Sequence, residues 1–115
     1  MTYEQLVEQV KDIAKHGDVS KVTEHVAFQF NIEGEAAGAF YLELKEGKAY
    51  VEPYEYYDRD VCITCKAETL LKIIEGRLDP VLAFTLKKIR VEGDLGKALL
   101  LKEVVGKKQK SANLP

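Results

Sequence analysis

The segment from Gly76 to Leu101, GRLDPVLAFTLKKIRVEGDLGKALLL, constrains the fold more than any other stretch of the chain. Gly76 suits the left-handed position that ends a helix, and Asp79 before Pro80 combines an N-cap with proline at the first helical position. Gly93-Asp94 provides a second stop followed by a second cap. We therefore predict a helix from Pro80, a strand over residues 87–92 with Ile89 and Val91 on one face, and a further helix after Asp94.

Both helices of this segment are too apolar for an ordinary surface position. The first is apolar around most of its circumference, so we expect it to be buried or to face a cavity. The second has apolar residues spread more widely than one stripe, so we expect it to touch two apolar surfaces. The residues concerned are Val81, Leu82, Ala83, Phe84 and Leu86 in the first helix, and Leu95, Ala98, Leu99, Leu100, Leu101, Val104 and Val105 in the second.

This order of signals resembles the sterol carrier protein family of nonspecific lipid-transfer domains. The matching residues are Gly76, Leu78, Asp79-Pro80, Ala83-Phe84, Lys88, Ile89, Val91, Gly93-Asp94, Gly96 and Ala98. The rest of the chain matches in outline, so the resemblance covers nearly all 115 residues. It implies a stand-alone, single-domain member in which five strands and flanking helices enclose an apolar tunnel.

The earlier part of the chain predicts one helix, a strand meander, a fourth strand and a second helix. Thr2 and Gln5 form a capping box for a helix that ends at Gly17. Alternation of period two then predicts strands from Val26, from Phe40, over residues 48–54 and over residues 61–66, and residues 67–75 have helical spacing. We predict an α+β fold, with helices packed on a five-stranded, mostly antiparallel sheet that encloses an apolar cavity or tunnel.

Length and composition indicate one ordinary globular domain. We assign residues 1–106 to the domain and residues 107–115 to a polar tail. A net charge of −2 gives no reason to expect a nucleic-acid partner. No apolar run approaches the ~18 residues of a membrane span and the N-terminus has no secretory pattern, so we expect a cytoplasmic protein. The final residues Asn113-Leu114-Pro115 also do not predict peroxisomal import.

Cys62-Ile63-Thr64-Cys65 has the spacing of a redox or metal motif, and Cys65 precedes a predicted helix start, where a thiolate would be favoured. However, residues three apart in a strand point to opposite faces, which argues against chelation and against a disulfide. We expect both thiols to be free and to pack as small buried residues. A thiol protein using Cys62 and Cys65 is the weakest of the functions considered.

Other candidates for catalysis or metal binding are few. Asp58-Arg59-Asp60 lacks the remaining ligands of a calcium loop and is interpreted as a solvated loop. His16 and His25 are expected at a helix end and a strand start, which leaves little for acid-base chemistry. No phosphate loop, serine elbow or histidine metal motif is present. We predict neither an enzyme nor a metal or cofactor site.

The remaining function is non-covalent binding, and possible transfer, of a fatty acid, fatty acyl or sterol-like ligand between the sheet and the helices around Pro80 and Leu95. Composition alone favours a filled core, and the family resemblance reverses that preference. The alternative is an interaction or scaffold module with a filled core. The candidate wall residues are Phe30, Phe40, Leu42, Ile74, Leu78, Phe84, Leu86, Leu100 and Val104.

Two surface features are open to more than one interpretation. Tyr54, Tyr56 and Tyr57 could line the rim of a cavity, although packing at a sheet edge is the commoner use of such a cluster. Lysines near the C-terminus could favour transient contact with an anionic membrane, or could simply be a solubilising end. They are Lys97, Lys102, Lys107, Lys108 and Lys110. The sequence does not predict an oligomeric state.

Overall fold

The computed structural model describes residues 1–17, 19–20 and 22–104, with the side chain of Glu103 left out. Helices and strands follow one another in the predicted order up to α4, after which a further short helix is present. Their bounds are α1 (Tyr3–His16), β1 (Val26–Glu33), β2 (Gly38–Lys45), β3 (Lys48–Glu52), β4 (Val61–Lys66), α2 (Ala67–Ile74), α3 (Pro80–Thr85), β5 (Ile89–Gly93), α4 (Leu95–Ala98) and α5 (Leu101–Val104). The predicted tail, residues 107–115, lies outside the described residues.

Helix α1 begins and ends where the sequence predicts. Gln5 N donates a hydrogen bond to Thr2 Oγ1 at 3.1 Å, and Thr2 N donates one to Gln5 Oε1 at 2.8 Å, which completes the capping box. Gly17 is the C-cap. The buried face of α1 consists of Leu6, Val7, Val10 and Ala14. It packs on the sheet near β3 and against α2.

The five strands form one mixed sheet with the order β3-β2-β1-β4-β5. Strand β1 pairs antiparallel with β2, so Phe30 lies opposite Phe40, and parallel with β4, so Phe30 also lies beside Ile63. The meander of the first three strands is as predicted, but the expectation of a mostly antiparallel sheet was wrong. After β3 the chain crosses to the far side of β1, and strand β4 then runs in the same direction as β1.

Strand β1 is the centre of the fold, and it is buried on both faces. Its Phe28 and Phe30 belong to the apolar core. On the other face Ala27 and Gln29 are also buried. Tyr56 N donates a hydrogen bond to Gln29 Oε1 at 3.1 Å, because the loop between β3 and β4 covers this face. The strand is therefore fixed by β2, β4 and this loop together.

The core lies between one face of the sheet and helices α1, α2 and α5. Its largest fully buried side chains are Phe28, Phe30, Phe40, Leu6, Leu42, Leu44, Ile63, Leu70, Ile73, Leu101, Val26 and Val61. The rings of Phe30 and Phe40 are 5.3 Å apart, close enough to exclude a ligand between them. This half of the molecule is an apolar core.

The last part of the described chain differs from the prediction in one respect. We predicted one continuous helix after Asp94, but a turn at Leu99 and Leu100 separates α4 from α5. Leu100 N donates to Lys97 O at 2.9 Å and Lys102 N donates to Leu99 O at 3.2 Å, so the backbone tightens here. The turn buries Leu101 in the core while Leu99 stays exposed. Val105 lies outside the described residues.

Strands β3 and β5 are shorter than predicted, and α2 is bounded nearly as expected. Strand β3 ends at Glu52 and strand β5 begins at Ile89. Lys87 has a left-handed φ of 61°, which interrupts the extended pattern before β5. Gly76, with φ of 79°, follows α2 as expected. No helix within the described ranges is long and apolar enough to cross a bilayer.

Candidate functional site

An apolar groove lies between α3, β5 and α4, with Ile63 of β4 at its floor. Its volume is about 210 Å³, and it opens to the molecular surface. Every residue that lines it is apolar, so nothing in its walls offers a side-chain hydrogen bond. The lining residues are Ile63, Pro80, Val81, Phe84, Ile89, Val91, Leu95, Ala98, Leu99 and Leu101.

Helix α3 forms one wall of the groove, and its start is fixed by Asp79. Asp79 Oδ1 accepts hydrogen bonds from Val81 N at 2.7 Å and from Leu82 N at 3.4 Å. Ala83 is the one buried residue of this helix. We expected a helix this apolar to be buried or to face a cavity. Val81 and Phe84 do line the groove, but Leu82 is 49% exposed and does not line it, so the expectation was wrong for that face of α3.

Helix α4 forms the opposite wall and is tied to the loop before β4. Asp94 Oδ1 accepts a hydrogen bond from Lys97 N at 3.0 Å, which caps the helix as predicted. Asp94 N donates to Asp60 O at 2.9 Å, and Lys97 Nζ donates to Asp60 Oδ1 at 3.2 Å. The position of α4 therefore depends on the loop residue Asp60.

Gly93 permits the close approach of these two segments. It has a φ of 103°, and a Cβ atom at this position would lie 2.3 Å from Asp60 O. Only glycine accommodates both the dihedral angle and the contact. The connection from β5 to α4 thus requires Gly93.

A second, more open depression continues from the groove at Phe84, Ile89 and Val91, and it is bounded by Lys87 and Arg90. Arg90 Nη2 donates to Glu33 Oε2 at 3.0 Å across the sheet edge. Lys102 Nζ lies 3.7 Å from Asp79 Oδ2, which pairs α5 with the start of α3. The charged side chains near the outer ends of the groove thus include both signs, and Arg90 and Lys102 are each paired with a carboxylate.

Of the nine predicted wall residues, Phe84 is the one that lines the groove. Leu78 and Leu100 are partly buried against the core, and Leu86 is exposed at the end of α3. The remaining five are buried in the core: Phe30, Phe40, Leu42, Ile74 and Val104. The structure thus places these five candidates together in the core on one face of the sheet, and it places Phe84 at the opening of the groove.

Sequence reasoning missed most of the actual lining. Ile89, Val91, Leu95 and Leu99 line the groove but were assigned only to their helices and strand. The sequence did contain a signal that these residues line the site. The exposed faces of α3 and α4 are apolar, and the ligand was expected between the helices around Pro80 and Leu95. Pro80, assigned to architecture, also lines the groove.

The two cysteines lie on opposite faces of β4, and both are free and buried, as predicted. Asn31 Nδ2 donates to Cys62 Sγ at 3.2 Å on the outer face. Burial raises the pKa of the Cys65 thiol to about 12, with a smaller contribution from Glu33. Burial also raises the pKa of Cys62. The suggestion that a thiolate would be favoured at Cys65 was therefore wrong.

The tyrosine-rich loop lies on the sheet face away from the groove. Tyr56 Oη donates to Glu43 Oε2 at 2.9 Å, and its ring meets Tyr41 edge to face with centroids 4.9 Å apart. Tyr57 is 93% exposed and Tyr54 is also exposed. None of the three tyrosines lines the groove. Tyr56 packs against the sheet, which was the alternative interpretation of this cluster.

His16 and His25 occupy ordinary surface positions, whereas Asp60, which we interpreted as part of a solvated loop, is partly buried and accepts hydrogen bonds from Ala27 N and Lys97 Nζ. His25 Nε2 lies 2.5 Å from Glu43 Oε2, and His16 Nδ1 lies 2.8 Å from Asp12 O. Among the described residues, no three histidine, cysteine, aspartate or glutamate side chains gather to hold a metal ion. Lys97 and Lys102 lie next to the groove, whereas Lys107, Lys108 and Lys110 lie outside the described residues.

The chain is similar to proteins that carry or consist of this domain. A family profile described as the SCP-2 sterol transfer family matches residues 3–106. A hydroxysteroid dehydrogenase-like protein 2 of Xenopus tropicalis is 34% identical over 80 residues, which is 69% of this chain and 19% of that protein. The chain therefore spans about a fifth of the length of this curated relative.

Two solved structures of a sterol carrier protein 2-like 2 from Aedes aegypti have the same fold, with 27% sequence identity. The crystal structure covers 89% of this chain and 94% of its own, with a TM-score of 0.67. The solution structure, of the palmitated protein, covers 90% and 94%, with a TM-score of 0.68.

Proposed function

Because the chain belongs to the SCP-2 sterol transfer family, we propose that it binds an apolar lipid non-covalently in the groove between α3 and α4, and that it transfers this lipid. The proposed ligand is a fatty acid or fatty acyl chain, with a sterol-like molecule as a second possibility. The palmitated form of the Aedes aegypti relative supports the fatty-acid class.

The observation that carries this proposal is the uniformly apolar lining of the groove. A pocket that recognises a polar substrate needs a few placed polar groups, and this lining has none. Phe84, Leu95 and Leu99 are each about half exposed although their side chains are large and apolar. Covering these side chains with an acyl chain would recover the free energy that their exposure costs.

The volume of the groove bears on how the ligand is held. Pockets for drug-sized ligands are about 300–1,000 Å³, whereas this groove is about 210 Å³. A long chain therefore fits only partly, and the groove must widen or the chain must extend along the depression beside Lys87. We propose that α4 moves away from α3, because the turn at Leu99 and Leu100 separates α4 from the buried α5.

The energetics allow such binding without a charged anchor. Burying an acyl chain of about sixteen carbons is worth about 12 kcal/mol at ~0.8 kcal/mol per methylene, against an association cost of ~4–15 kcal/mol. Partial burial in the closed groove would give weak binding. A widened groove is thus a requirement for useful affinity.

The nine wall residues predicted from the sequence would differ in their contacts with the ligand. Phe84 would contact the ligand directly, and Leu78, Leu86 and Leu100 would contact it at the ends of the groove. The five core residues would do so only if the groove opened inward past Leu101. They are Phe30, Phe40, Leu42, Ile74 and Val104.

We propose binding and transfer and not catalysis. The match to hydroxysteroid dehydrogenase-like protein 2 covers 80 residues, about a fifth of that protein, so the activity in its name is not carried over. Burial raises the pKa of both cysteines, and the Arg59 guanidinium beside Cys62 offsets this only in part. An anionic membrane is the proposed donor or acceptor of the lipid.

Native mass spectrometry of the purified protein, followed by delipidation and titration with a fluorescent fatty acid, tests this function. We expect a co-purifying apolar mass and saturable, micromolar binding with one site per chain. A bare protein mass together with no saturable binding would contradict the proposal. That result would favour the interaction module with a filled core.

A further inference from the structure

Strand β5 is one edge of the sheet, and no strand of the described chain lies beyond it. Its hydrogen bonds to β4 can be located from Asp94 N, which donates to Asp60 O at 2.9 Å, one residue past the end of the ladder. Bonded pairs alternate along an antiparallel ladder, so the next residues of β5 that bond to β4 are Glu92 and Arg90. The main-chain groups of these two residues are therefore used within the sheet.

The alternate residues of β5 point their main-chain groups away from β4. They are Ile89, Val91 and Gly93. An outward row of N–H and C=O groups is a template for pairing with another strand. The space beside this edge is open, because a depression of about 880 Å³ is lined by consecutive residues of β5, from Ile89 to Glu92. The edge thus has main-chain groups available for pairing and room for a further strand.

The side chains of β5 are suited to pairing with a second copy of the same strand. Around a two-fold axis at Val91, antiparallel pairing places Arg90 of each copy opposite Glu92 of the partner subunit. Opposite charges directly across a strand pair attract, and like charges repel. Moving the axis by one residue would set Arg90 against its own copy or Glu92 against its own copy. The charges therefore select one register, in which the outward main-chain groups also face each other.

The ion pairs already present at this edge are compatible with that register. Arg90 Nη2 lies 3.0 Å from Glu33 Oε2, and both side chains are more than half exposed, so Arg90 can contact two carboxylates. Within the part of the chain that the structure describes, Glu92 has no ion pair or side-chain hydrogen bond. The charges along the edge balance once Glu33 is counted, so two copies would meet without net repulsion. They are Lys87, Lys88 and Arg90 against Glu33, Glu92 and Asp94.

We infer that the protein forms a symmetric dimer through β5, which joins the two sheets into one. Three residues on each copy have outward groups, so the pairing would make about six main-chain hydrogen bonds. Ile89 and Val91 line the groove. The dimer would therefore place Val91 of the partner subunit beside each groove and would cover the depression next to Phe84. The inference goes beyond the proposed function, because the pairing needs no lipid.

Two other arrangements fit the edges of the sheet less well. An extended peptide from an unrelated protein would use the same main-chain groups, but only a second copy supplies both opposite charges by symmetry. The other edge, β3, also has opposite charges at its ends, in Lys48 and Glu52. However, α1 and Val19 line a pocket together with the residues from Lys48 to Val51, so that edge is partly covered.

Sedimentation analysis of delipidated protein tests the dimer over a concentration range of about a hundredfold. We expect a reversible equilibrium between monomer and dimer. Arg90→Glu and Glu92→Arg each replace two attractive pairs by repulsive ones, so each should raise the dimer dissociation constant about tenfold or more. An equimolar mixture of the two variants should restore the dimer, because the acidic edge of one variant then faces the basic edge of the other. Circular dichroism checks that both variants are folded.

Amide hydrogen exchange gives an independent readout of the same pairing. The amide of Val91 points outward, so it should exchange fast in dilute protein and become protected as the dimer forms. The amides of Arg90 and Glu92 bond to β4 and should be protected at both concentrations. Protection of Val91 that does not depend on concentration would contradict the pairing.

Lys48→Glu is the matched control, because it makes the same change in net charge as Arg90→Glu at the other edge of the sheet. Its dimer dissociation constant should stay within about twofold of that of the original protein. A monomer at every concentration, or a mixture of the two β5 variants that stays monomeric, would overturn the inference. Loss of the dimer in Lys48→Glu alone would assign the contact to β3 and also overturn it. A dimer that binds no fatty acid would leave the pairing standing and contradict the proposed function alone.

Discussion

Asp60 Oδ1 accepts a hydrogen bond from Lys97 Nζ at 3.2 Å, which joins the loop before β4 to one wall of the groove. The same carboxylate accepts a second hydrogen bond through Oδ2, from the buried Ala27 N at 2.8 Å. The Asp60 backbone also bonds to Ala27 O and to Asp94 N. One aspartate therefore extends the pairing of β1 with β4 and positions α4.

Replacing Asp60 should destabilise the protein. In Asp60→Ala the buried Ala27 N–H loses its acceptor, and we expect a decrease of about 1–3 kcal/mol in the free energy of unfolding. Asp60→Asn keeps a side-chain oxygen and should lose less. Urea denaturation monitored by circular dichroism measures both. Equal stability of Asp60→Ala and the original protein would show that the Ala27 hydrogen bond contributes nothing.

Phe84 should be essential for ligand binding. Phe84→Asp puts a charge into an apolar wall and removes a ring, and loss of the ring alone is worth about 1.5–3 kcal/mol, or roughly 10- to 150-fold in Kd. Leu82→Asp is the matched control, since the two side chains are 48% and 49% exposed and only Phe84 lines the groove. Titration with fluorescent fatty acid should separate the two variants. Similar Kd values for the two variants would show that Phe84 does not contact the ligand.

Filling the groove should block the ligand without unfolding the protein. Ala98→Leu places three additional carbon atoms into the space between α3 and α4, and we expect a Kd at least about tenfold higher with an unchanged circular dichroism spectrum. Ala49→Leu on β3 makes the same change at the opposite side of the sheet. If Ala98→Leu binds as well as Ala49→Leu, the ligand lies elsewhere.

Both cysteines should be unreactive in the folded protein. Because burial raises the pKa of Cys65 from about 9 to about 12, its thiol keeps its proton when folded. Alkylation at pH 7.5 should be far slower than that of a free thiol, and unfolding should expose two reactive thiols. The stabilisation from the raised pKa is complete below about pH 9 and should be lost as pH rises from 9 towards 12. Fast alkylation of the native protein would support the hypothesis of a thiol protein that uses Cys62 and Cys65.

The sequence predicted the elements of this fold better than their arrangement. Caps at Thr2, Asp79 and Asp94 act locally, so residue type and spacing were enough to locate the helix starts. The alternation in β1 predicted which residues share a face, but it holds no information about whether a neighbouring strand is parallel. The pairing of Phe30 with Ile63 depends on the crossing from β3 to β4, which is a property of the whole chain.

The candidate site was harder to predict for a related reason. An apolar residue in a solid core and one in a groove have the same pattern, so Phe30 and Phe84 could not be distinguished. The structure separates them, because Phe30 is fully buried whereas Phe84 is about half exposed beside the groove. Leu82 of α3 was expected to be buried or to face a cavity because most helices of such composition are covered, but about half of its side chain is exposed.

Methyl NMR during titration of the delipidated protein with palmitate would test the central claim most directly. Methyl groups that line the groove should shift together and saturate, namely those of Val81, Val91, Leu95, Leu99 and Leu101. Those of Leu6, Val7 and Val10, on the buried face of α1, should move little. Saturable shifts confined to α1 and its core, with the groove methyl groups unchanged, would contradict the account.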